Sequence, residues 1–357
     1  MSLEQRAFGT APCGTAIDEY TLTNAQGFCA KVMTYGAILT SMHTPDRDGR
    51  FAEITLGFDD LDGYLRGHPY FGAIVGRYAG RIHGPRFELD GVTHELAKTD
   101  GAAHLHGGIN GFDKAVWKAV AGAHTQSNPS VILSYTSADG EEGYPGNLEC
   151  AVTYTLTAEN ELRIDYLAST DKPTYLNLTN HAYWNLAGAG SGDVYRHEFA
   201  LNAEEITVLD DNLIPTGDLQ PVEGTPFDFR QPKSLGRDIA QLKHGYDTCF
   251  VLTKSKANAL SLAAKVSEPI TGRCLEVHTT QPTVVLYTGN YLSVANGDGT
   301  SRDGIRGAGG AIFKKHDAFC LEAEHYPNAP NRPEYPSARL DPGQTYRHST
   351  IHRFSVN

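Results

Sequence analysis

The feature that most constrains the fold of this 357-residue chain is a period of two in its apolar residues. The segment Ala151-Val-Thr-Tyr-Thr-Leu-Thr157 alternates, the next four residues are typical of a turn, and Leu162-Arg-Ile-Asp-Tyr-Leu167 alternates again. Because successive side chains of a strand point to opposite faces of a sheet, this pattern predicts an antiparallel hairpin with one buried face. Asp90-Gly91, between two further alternating segments, predicts a second hairpin with a two-residue turn.

Helical periodicity is scarce, which argues against folds that alternate strands with long helices. Only short stretches such as Ser234 to Leu242 and Leu61 to Leu65 suit one or two helical turns. Many strands separated by turns are typical of a sandwich or a barrel. Because no repeat of fixed period and no Pro/Ser-rich linker divides the chain, we expect residues 1–357 to form one domain. Its predicted class is all-β, a large antiparallel sandwich with few short helices.

Charge and cysteine content narrow the classes of function. The chain carries 30 Lys and Arg against 42 Asp and Glu, a formal net charge of −12. Nucleic acids and anionic membranes bind clustered cations, so we expect neither as a partner. The six cysteines are scattered without a C-x-x-C pair, and most lie in apolar, strand-like segments. This distribution predicts buried free thiols in a reducing compartment, and hence a cytoplasmic location.

One alternating segment ends in a group of polar and aromatic residues, Tyr175-Leu-Asn-Leu-Thr-Asn-His-Ala-Tyr-Trp-Asn-Leu186. A lone histidine on a strand, such as His181, is commonly a satisfied core residue. Here an amide, a phenol and an indole accompany it, from Asn180, Tyr183 and Trp184. Aromatic faces cover the C–H groups of a sugar while amides bond its hydroxyls, so this segment resembles a carbohydrate-binding surface.

Two carboxylates alternate with apolar residues in Phe319-Cys-Leu-Glu-Ala-Glu-His-Tyr-Pro-Asn328. On a strand, Glu322 and Glu324 point to the same face. Repulsion between them raises the pKa of at least one, which suits a general base near neutral pH. The alternative is two solvated glutamates on an exposed face.

Four further segments carry polar residues that the core of a sandwich does not need. They are Gly76-Arg-Tyr-Ala-Gly-Arg-Ile-His-Gly84, His104-Leu-His-Gly-Gly108, Gly245-Tyr-Asp-Thr-Cys-Phe250 and Thr279-Thr-Gln-Pro-Thr-Val-Val-Leu-Tyr-Thr-Gly-Asn290. Two arginines four apart are either surface charges or donors to ligand oxygens. Histidines at alternate positions share a strand face, so a metal site, a structural pair and a metal-free substrate contact all stay open. No third ligand follows at metal-ligand spacing.

The Gly/Asp-rich stretch Asn296 to Gly310 is poor in apolar residues and is predicted to be an exposed loop. Asp298 and Asp303 could serve a calcium ion, but the stretch lacks the carboxylate spacing and the terminal Glu of an EF-hand loop. We therefore expect no metal there.

Taken in order, the six chemistry-bearing segments resemble the aldose 1-epimerase (galactose mutarotase) family, from about Tyr35 to the C-terminal strand. The resemblance implies a β-supersandwich isomerase that interconverts the α and β anomers of a free aldose, such as galactose or glucose, without metal or organic cofactor. It implies that His181, in Asn-His-x-Tyr-x-Asn-Leu, is the general acid. It likewise implies that Glu322, in Phe-Cys-Leu-Glu, is the general base.

The same resemblance assigns substrate contacts to Arg81, His106, Asp247 and Gln281. We add Tyr183 because it lies in the aromatic segment that contains His181. The expected partner is thus a small sugar, bound to a monomer or a homodimer. At two positions the chain departs from the family pattern. Gly80 stands where the family usually has Asn, and Glu324 where it commonly has Gln. Both changes alter the groups that read the sugar hydroxyls and leave the acid–base pair as it is.

Three other functions fit some of these residues. A glycoside hydrolase or lyase would use two carboxylates, Asp247 and Glu322, but would leave His181 without a role. A non-catalytic sugar-binding module would need only the aromatics and amides. A hexose-phosphate mutarotase would need a cationic phosphate pocket, for which Arg77 is a candidate.

Overall fold

A computed structural model describes residues 1–122, 128–292 and 304–357. Its strands are β1 Ser2–Thr10, β2 Ala16–Thr23, β3 Cys29–Met33, β4 Leu39–Pro45, β5 Phe51–Glu53, β6 Ile74–Val75, β7 Arg81–His83, β8 Arg86–Leu89, β9 Val92–Glu95, β10 Ala103–Leu105, β11 Lys118–Ala121, β12 Ser130–Ser137, β13 Leu148–Leu156, β14 Glu161–Thr170, β15 Thr174–Tyr175, β16 Thr179–Asn180, β17 Glu198–Leu201, β18 Ala203–Leu209, β19 Pro215–Pro221, β20 Lys233–Ser234, β21 Asp247–Leu252, β22 Ser261–Ser267, β23 Arg273–Thr279, β24 Thr283–Tyr287, β25 Ile305–Arg306, β26 Ile312–Phe313, β27 Cys320–Glu324, β28 Arg339–Leu340 and β29 Tyr346–Val356. The helices are α1 Leu61–Leu65 and six 3₁₀ turns, at Phe112–Lys114, Glu141–Gly143, Leu235–Arg237, Ile239–Gln241, Ala308–Gly310 and Ala329–Asn331.

Three antiparallel sheets contain most of these strands. The largest has nine strands in the order β11-β12-β13-β14-β29-β23-β22-β17-β20. The second has five, in the order β19-β18-β21-β24-β27, and the third consists of β1 to β5 in chain order. The predicted hairpin is confirmed, because β13 pairs with β14 and Ala151 lies opposite Leu167. The all-β sandwich predicted from the sequence is therefore confirmed.

The period of two in the sequence is also the pattern of burial. In β13 every second side chain, such as Val152 and Tyr154, is buried, and the residues between them are partly exposed. These side chains share one core with Leu22 of the third sheet and Phe250 of the second. Full burial of one such side chain stabilises the fold by roughly 1.5–3 kcal/mol. Because many side chains from all three sheets are buried in this core, it holds the sheets together.

The short elements also follow local sequence. Helix α1 begins after Asp60, whose side chain accepts a hydrogen bond from the Gly63 N–H (2.8 Å). The turn between β8 and β9 has positive φ at both Asp90 (52°) and Gly91 (77°), as a two-residue hairpin turn requires. Both predictions are confirmed. No helix in the described ranges is long and apolar enough to cross a membrane.

The cysteine and loop predictions hold only in part. All six cysteines are free, and four are buried, but Cys13 is exposed and Cys29 half-buried. Residues 296–303 of the predicted loop, which include Asp298 and Asp303, lie outside the described residues. The rest of the predicted loop contains a strand, because β25 lies within it and pairs with β26 just beyond its end.

Candidate active site

One cleft collects most of the residues that the sequence singles out. Its volume is about 160 Å³, below the roughly 300–1,000 Å³ of cavities for drug-sized ligands, so it suits a ligand as small as one monosaccharide. One wall is the face of the second sheet in which Asp247 lies opposite Tyr287 and Val285 opposite Glu322. Its lining includes the polar side chains of Arg81, His106, His181, Tyr183, Asp247, Glu322 and Glu324.

A larger groove of about 970 Å³ lies elsewhere and contains none of the predicted site residues. Two of its cations are already paired within the protein. Arg230 lies 2.8 Å from Asp228, and Lys233 lies 2.7 Å from Asp238. The smaller cleft is therefore the candidate site.

Glu322 and His181 come together in this cleft from distant parts of the chain. Strand β27 is buried throughout. Leu321 contributes to the core, and the next residue along the strand, Glu322, faces the cleft. His181 follows β16, and its N–H donates to the carbonyl of Ala73 (2.9 Å) while its own carbonyl accepts from the Gly72 N–H (3.0 Å). The resulting distance between His181 Nε2 and Glu322 Oε2 is 3.5 Å.

Two tyrosines fix the plane of the His181 imidazole. The ring stacks on Tyr183 at 5.0 Å between centroids and on Tyr70 at 5.7 Å, with interplanar angles of 15° and 19°. Its Nδ1 has no hydrogen-bond partner among the described residues. Packing rather than a hydrogen bond therefore holds Nε2 toward Glu322.

Burial disfavours a charge on either member of the pair. It lowers the pKa of His181 to about 4. It also raises the pKa of Glu322 well above the ordinary range, as does the neighbouring Asp247, against an opposing effect of Arg81. Burial therefore favours the state in which the proton of the pair is on Glu322 and His181 is neutral.

Three further predicted residues surround the pair. The Arg81 guanidinium donates through Nε to Asp100 (2.7 Å) and lies 3.7 Å from Asp247. Burial lowers the pKa of His106 well below its usual range, so this ring is neutral. Because His106 Nδ1 accepts a hydrogen bond from the Gly80 N–H (3.2 Å), its ring proton is on Nε2, where it is free to donate to a ligand.

Several residues that the sequence singled out do not line the cleft. Gln281 is buried, and its amide donates to the Tyr346 hydroxyl (2.9 Å), so its substrate contact stays a prediction. The sugar-surface interpretation is wrong for Trp184, whose ring packs in the core against His352 (5.1 Å). It is also wrong for Asn180, whose amide donates to the carbonyl of Gly72 (2.7 Å).

The two histidines of the His104 segment do not share a face, contrary to the expectation for a continuous strand. Strand β10 ends at Leu105, and His106 has a φ of +52°. The His104 ring packs against Tyr144 (5.6 Å), whereas the His106 ring packs against Tyr70 (4.7 Å). His104 is therefore structural, and His106 belongs to the cleft.

Three tyrosines of the lining have no role in the predictions from sequence: Tyr70, Tyr287 and Tyr291. Tyr70 has a φ of +61°, which is unusual for an aromatic residue and turns its ring onto His181. The signal that could have found it is its segment, His68-Pro-Tyr-Phe-Gly72, where aromatics stand between Pro and Gly.

Among the described residues, one group of three side chains in the cleft is close enough together to ligate a single metal ion. One ligand atom each of His106, His181 and Glu322 lies within 4.8 Å of the others. Two histidines and a glutamate are a ligand set that zinc uses. Any metal here would occupy both members of the acid–base pair.

The two arginines of Gly76 to Gly84 are expected to respond differently to substitution. Arg77 is buried and donates to Ser137 Oγ (2.7 Å) and to backbone carbonyls including that of Gly146 (2.8 Å). Arg77→Lys should therefore lower the free energy of unfolding by about 1–3 kcal/mol, because buried acceptors lose their donors, and leave kcat/KM unchanged. Arg81→Lys should lower kcat/KM instead. Chemical denaturation measures the effect on stability, and initial rates measure the effect on kcat/KM. A normal kcat/KM for Arg81→Lys would contradict the assignment of Arg81 as a substrate contact.

Comparisons with known proteins agree with this arrangement. The sequence model of the family described as aldose 1-epimerase matches residues 18–353. Galactose mutarotase of Sus scrofa is 42% identical over 100% of this chain and 99% of its own length. Aldose 1-epimerase of Escherichia coli (strain K12) is 36% identical over 96% and 97%, respectively. The crystal structure of the GalM/aldose epimerase homologue from C. elegans superimposes with a TM-score of 0.85 at 32% identity, covering 94% of this chain and 98% of that one.

Proposed function

Because the chain belongs to the aldose 1-epimerase family, it is an isomerase, and we propose that its cleft interconverts the α and β anomers of a free aldose with Glu322 and His181 as the reacting pair. One observation carries the assignment of this pair. The Glu322 carboxylate and the His181 imidazole face each other at 3.5 Å in a buried cleft of monosaccharide size. Galactose, which the name of the Sus scrofa relative contains, and glucose are the proposed substrates.

The proposed reaction needs two proton transfers. Glu322 takes the proton of the anomeric hydroxyl O1 while protonated His181 gives a proton to the ring oxygen. The bond between C1 and the ring oxygen breaks, and the open-chain aldehyde forms. After rotation about C1–C2, His181 takes its proton back as the ring oxygen attacks the other face of C1, and Glu322 returns its proton to O1. Each positioned transfer contributes roughly 10²–10⁴-fold, or about 3–5 kcal/mol.

The shared proton of the pair fits this sequence of steps. Burial favours neutral His181 and protonated Glu322. That is the protonation state which the pair reaches when the open-chain aldehyde is bound. The closed sugar brings hydroxyls that stabilise the ion pair in place of water. Arg81, Asp247 and the Nε2–H of His106 are the proposed hydrogen-bonding partners of those hydroxyls.

Polarimetry tests the proposal directly. Freshly dissolved α-D-galactose, α-D-glucose and a pentose should approach equilibrium rotation faster with the protein than with buffer. A rival hydrolase would instead release nitrophenol from nitrophenyl glycosides without accelerating anomer exchange. If no free aldose responded, the proposal would be wrong.

The same assay tests the proposed independence from metal. Chelator treatment should leave the rate unchanged, because proton transfer alone suffices for ring opening. Added Zn²⁺ should inhibit, since its ligands would be His106, His181 and Glu322. Loss of activity with chelator, restored by a metal, would contradict the metal-free mechanism.

The proposed location is the cytoplasm. All six cysteines are free, although Cys13 is exposed and Cys29 half-buried. Exposed thiols persist in reducing compartments.

A further inference from the structure

Glu324 is a buried carboxyl group of the cleft that the proton transfers do not use. Glu324 is 1% exposed and lines the cleft. Neither of its carboxyl oxygens has a hydrogen-bond partner among the described residues. Burying a polar group without a partner costs free energy. Both unpartnered oxygens belong to a group of the cleft wall, the position from which a side chain can bond a ligand.

The backbone of Gly80 lies close to this carboxyl group, and a side chain at residue 80 would crowd it. A β-carbon at Gly80 would lie 3.2 Å from Glu324 Oε1 and 2.9 Å from Pro327 Cβ. The φ of Gly80 is +75°, in the left-handed region that favours glycine. The two positions at which the chain departs from the family pattern are therefore in contact with each other in the lining of the cleft.

No ion pair within 4.0 Å among the described residues includes Glu324. The guanidinium of Arg81 is engaged by Asp100 (2.7 Å) and lies beside Asp247 (3.7 Å). A carboxyl group bonds a sugar hydroxyl through its oxygens, whether it is ionised or protonated.

We propose that Glu324 is a specificity-determining residue that binds a hydroxyl group of the sugar in the cleft. The inference rests on the proposed function, in which the sugar reacts between His181 and Glu322. Glu324 lies two residues beyond Glu322 on the same strand face, about 6.6 Å along the strand. This separation places it away from O1, so the hydroxyl that it binds is a different one.

The test crosses variants of the enzyme with analogues of the substrate. Wild type, Glu324→Leu and Glu324→Gln are assayed by polarimetry on the faster of D-galactose and D-glucose and on its 2-, 3-, 4- and 6-deoxy analogues. Each analogue keeps O1 and the ring oxygen, so each can still change anomer. Wild type should lose about 10- to 100-fold in kcat/KM on one analogue, as expected for a lost hydrogen bond to a buried group. Glu324→Leu should lose the same factor on the parent sugar and almost nothing further on that analogue.

The conservative variant is the matched control. Glu324→Gln should keep discrimination against the same analogue, because an amide also donates and accepts one hydrogen bond here. Leu209→Ala, at an apolar residue of the lining, should change kcat/KM by one common factor on all five sugars. Thermal unfolding of each variant checks that the fold is intact.

Three results would overturn the inference. They are a wild type that discriminates against no deoxy analogue, a Glu324→Leu variant that is weakened equally on every sugar, and a Glu324→Gln variant that behaves like Glu324→Leu. The first needs no variant, so a variant that does not fold leaves the inference testable. Failure of the proposed function itself looks different, because wild type would then accelerate none of the sugars.

Discussion

Glu322→Gln is expected to lower kcat for anomer exchange by at least about 10²-fold, the smaller contribution of one positioned proton-transfer group. The amide has nearly the shape of the carboxylate but cannot accept the O1 proton. Because burial already disfavours the charge of Glu322, its removal should not lower the thermal unfolding temperature. Polarimetry at saturating sugar measures the first effect and thermal unfolding the second.

A matched substitution separates this effect from the loss of any buried glutamate. Glu19 is as buried as Glu322, lies outside the cleft and accepts hydrogen bonds from Arg6 (2.7 Å) and Thr40 (2.8 Å). Glu19→Gln should therefore leave kcat unchanged. The base assignment fails if Glu322→Gln keeps more than about a tenth of the wild-type kcat.

The parts of the fold that the sequence predicts are those governed by neighbours in the chain. Alternation specifies the faces of β13 and β14, and Asp90-Gly91 specifies a turn whose two residues need positive φ. The order of strands in the nine-stranded sheet is different. Strand β14 pairs with β29, where Leu162 lies opposite His352. No local pattern in either strand encodes such a pairing, because it depends on the packing of the whole core.

The same distinction applies to the site. That Glu322 and Glu324 share a face follows from alternation within one strand, and the structure agrees. That His181 meets Glu322 was implied by the family resemblance and not by any spacing along the chain. The incorrect predictions concern residues at or just beyond the end of a strand. Residues after Asn180 leave β16, so Trp184 turns into the core, and β10 ends before His106.

The second large effect is expected at His181. His181→Asn should lower kcat by at least about 10²-fold, because an amide cannot protonate the ring oxygen. His197 provides the matched control, since it is buried outside the cleft and burial lowers its pKa to about 4 as well. Its Nε2 accepts a hydrogen bond from the Leu186 N–H (3.0 Å). His197→Asn should therefore reduce stability while kcat stays near the wild-type value.

The pH dependence tells whether His181 acts as the acid or only shapes the cleft. The wild-type pair works with one proton. Its kcat/KM should fall at low pH, where the pair gains a second proton, and at high pH, where Glu322, with its raised pKa, loses the shared one. In His181→Asn the residual rate needs only ionised Glu322 as base, so it should rise with pH and reach a plateau without an alkaline decline. A His181→Asn profile that kept both wild-type limbs would show that another group supplies the proton to the ring oxygen.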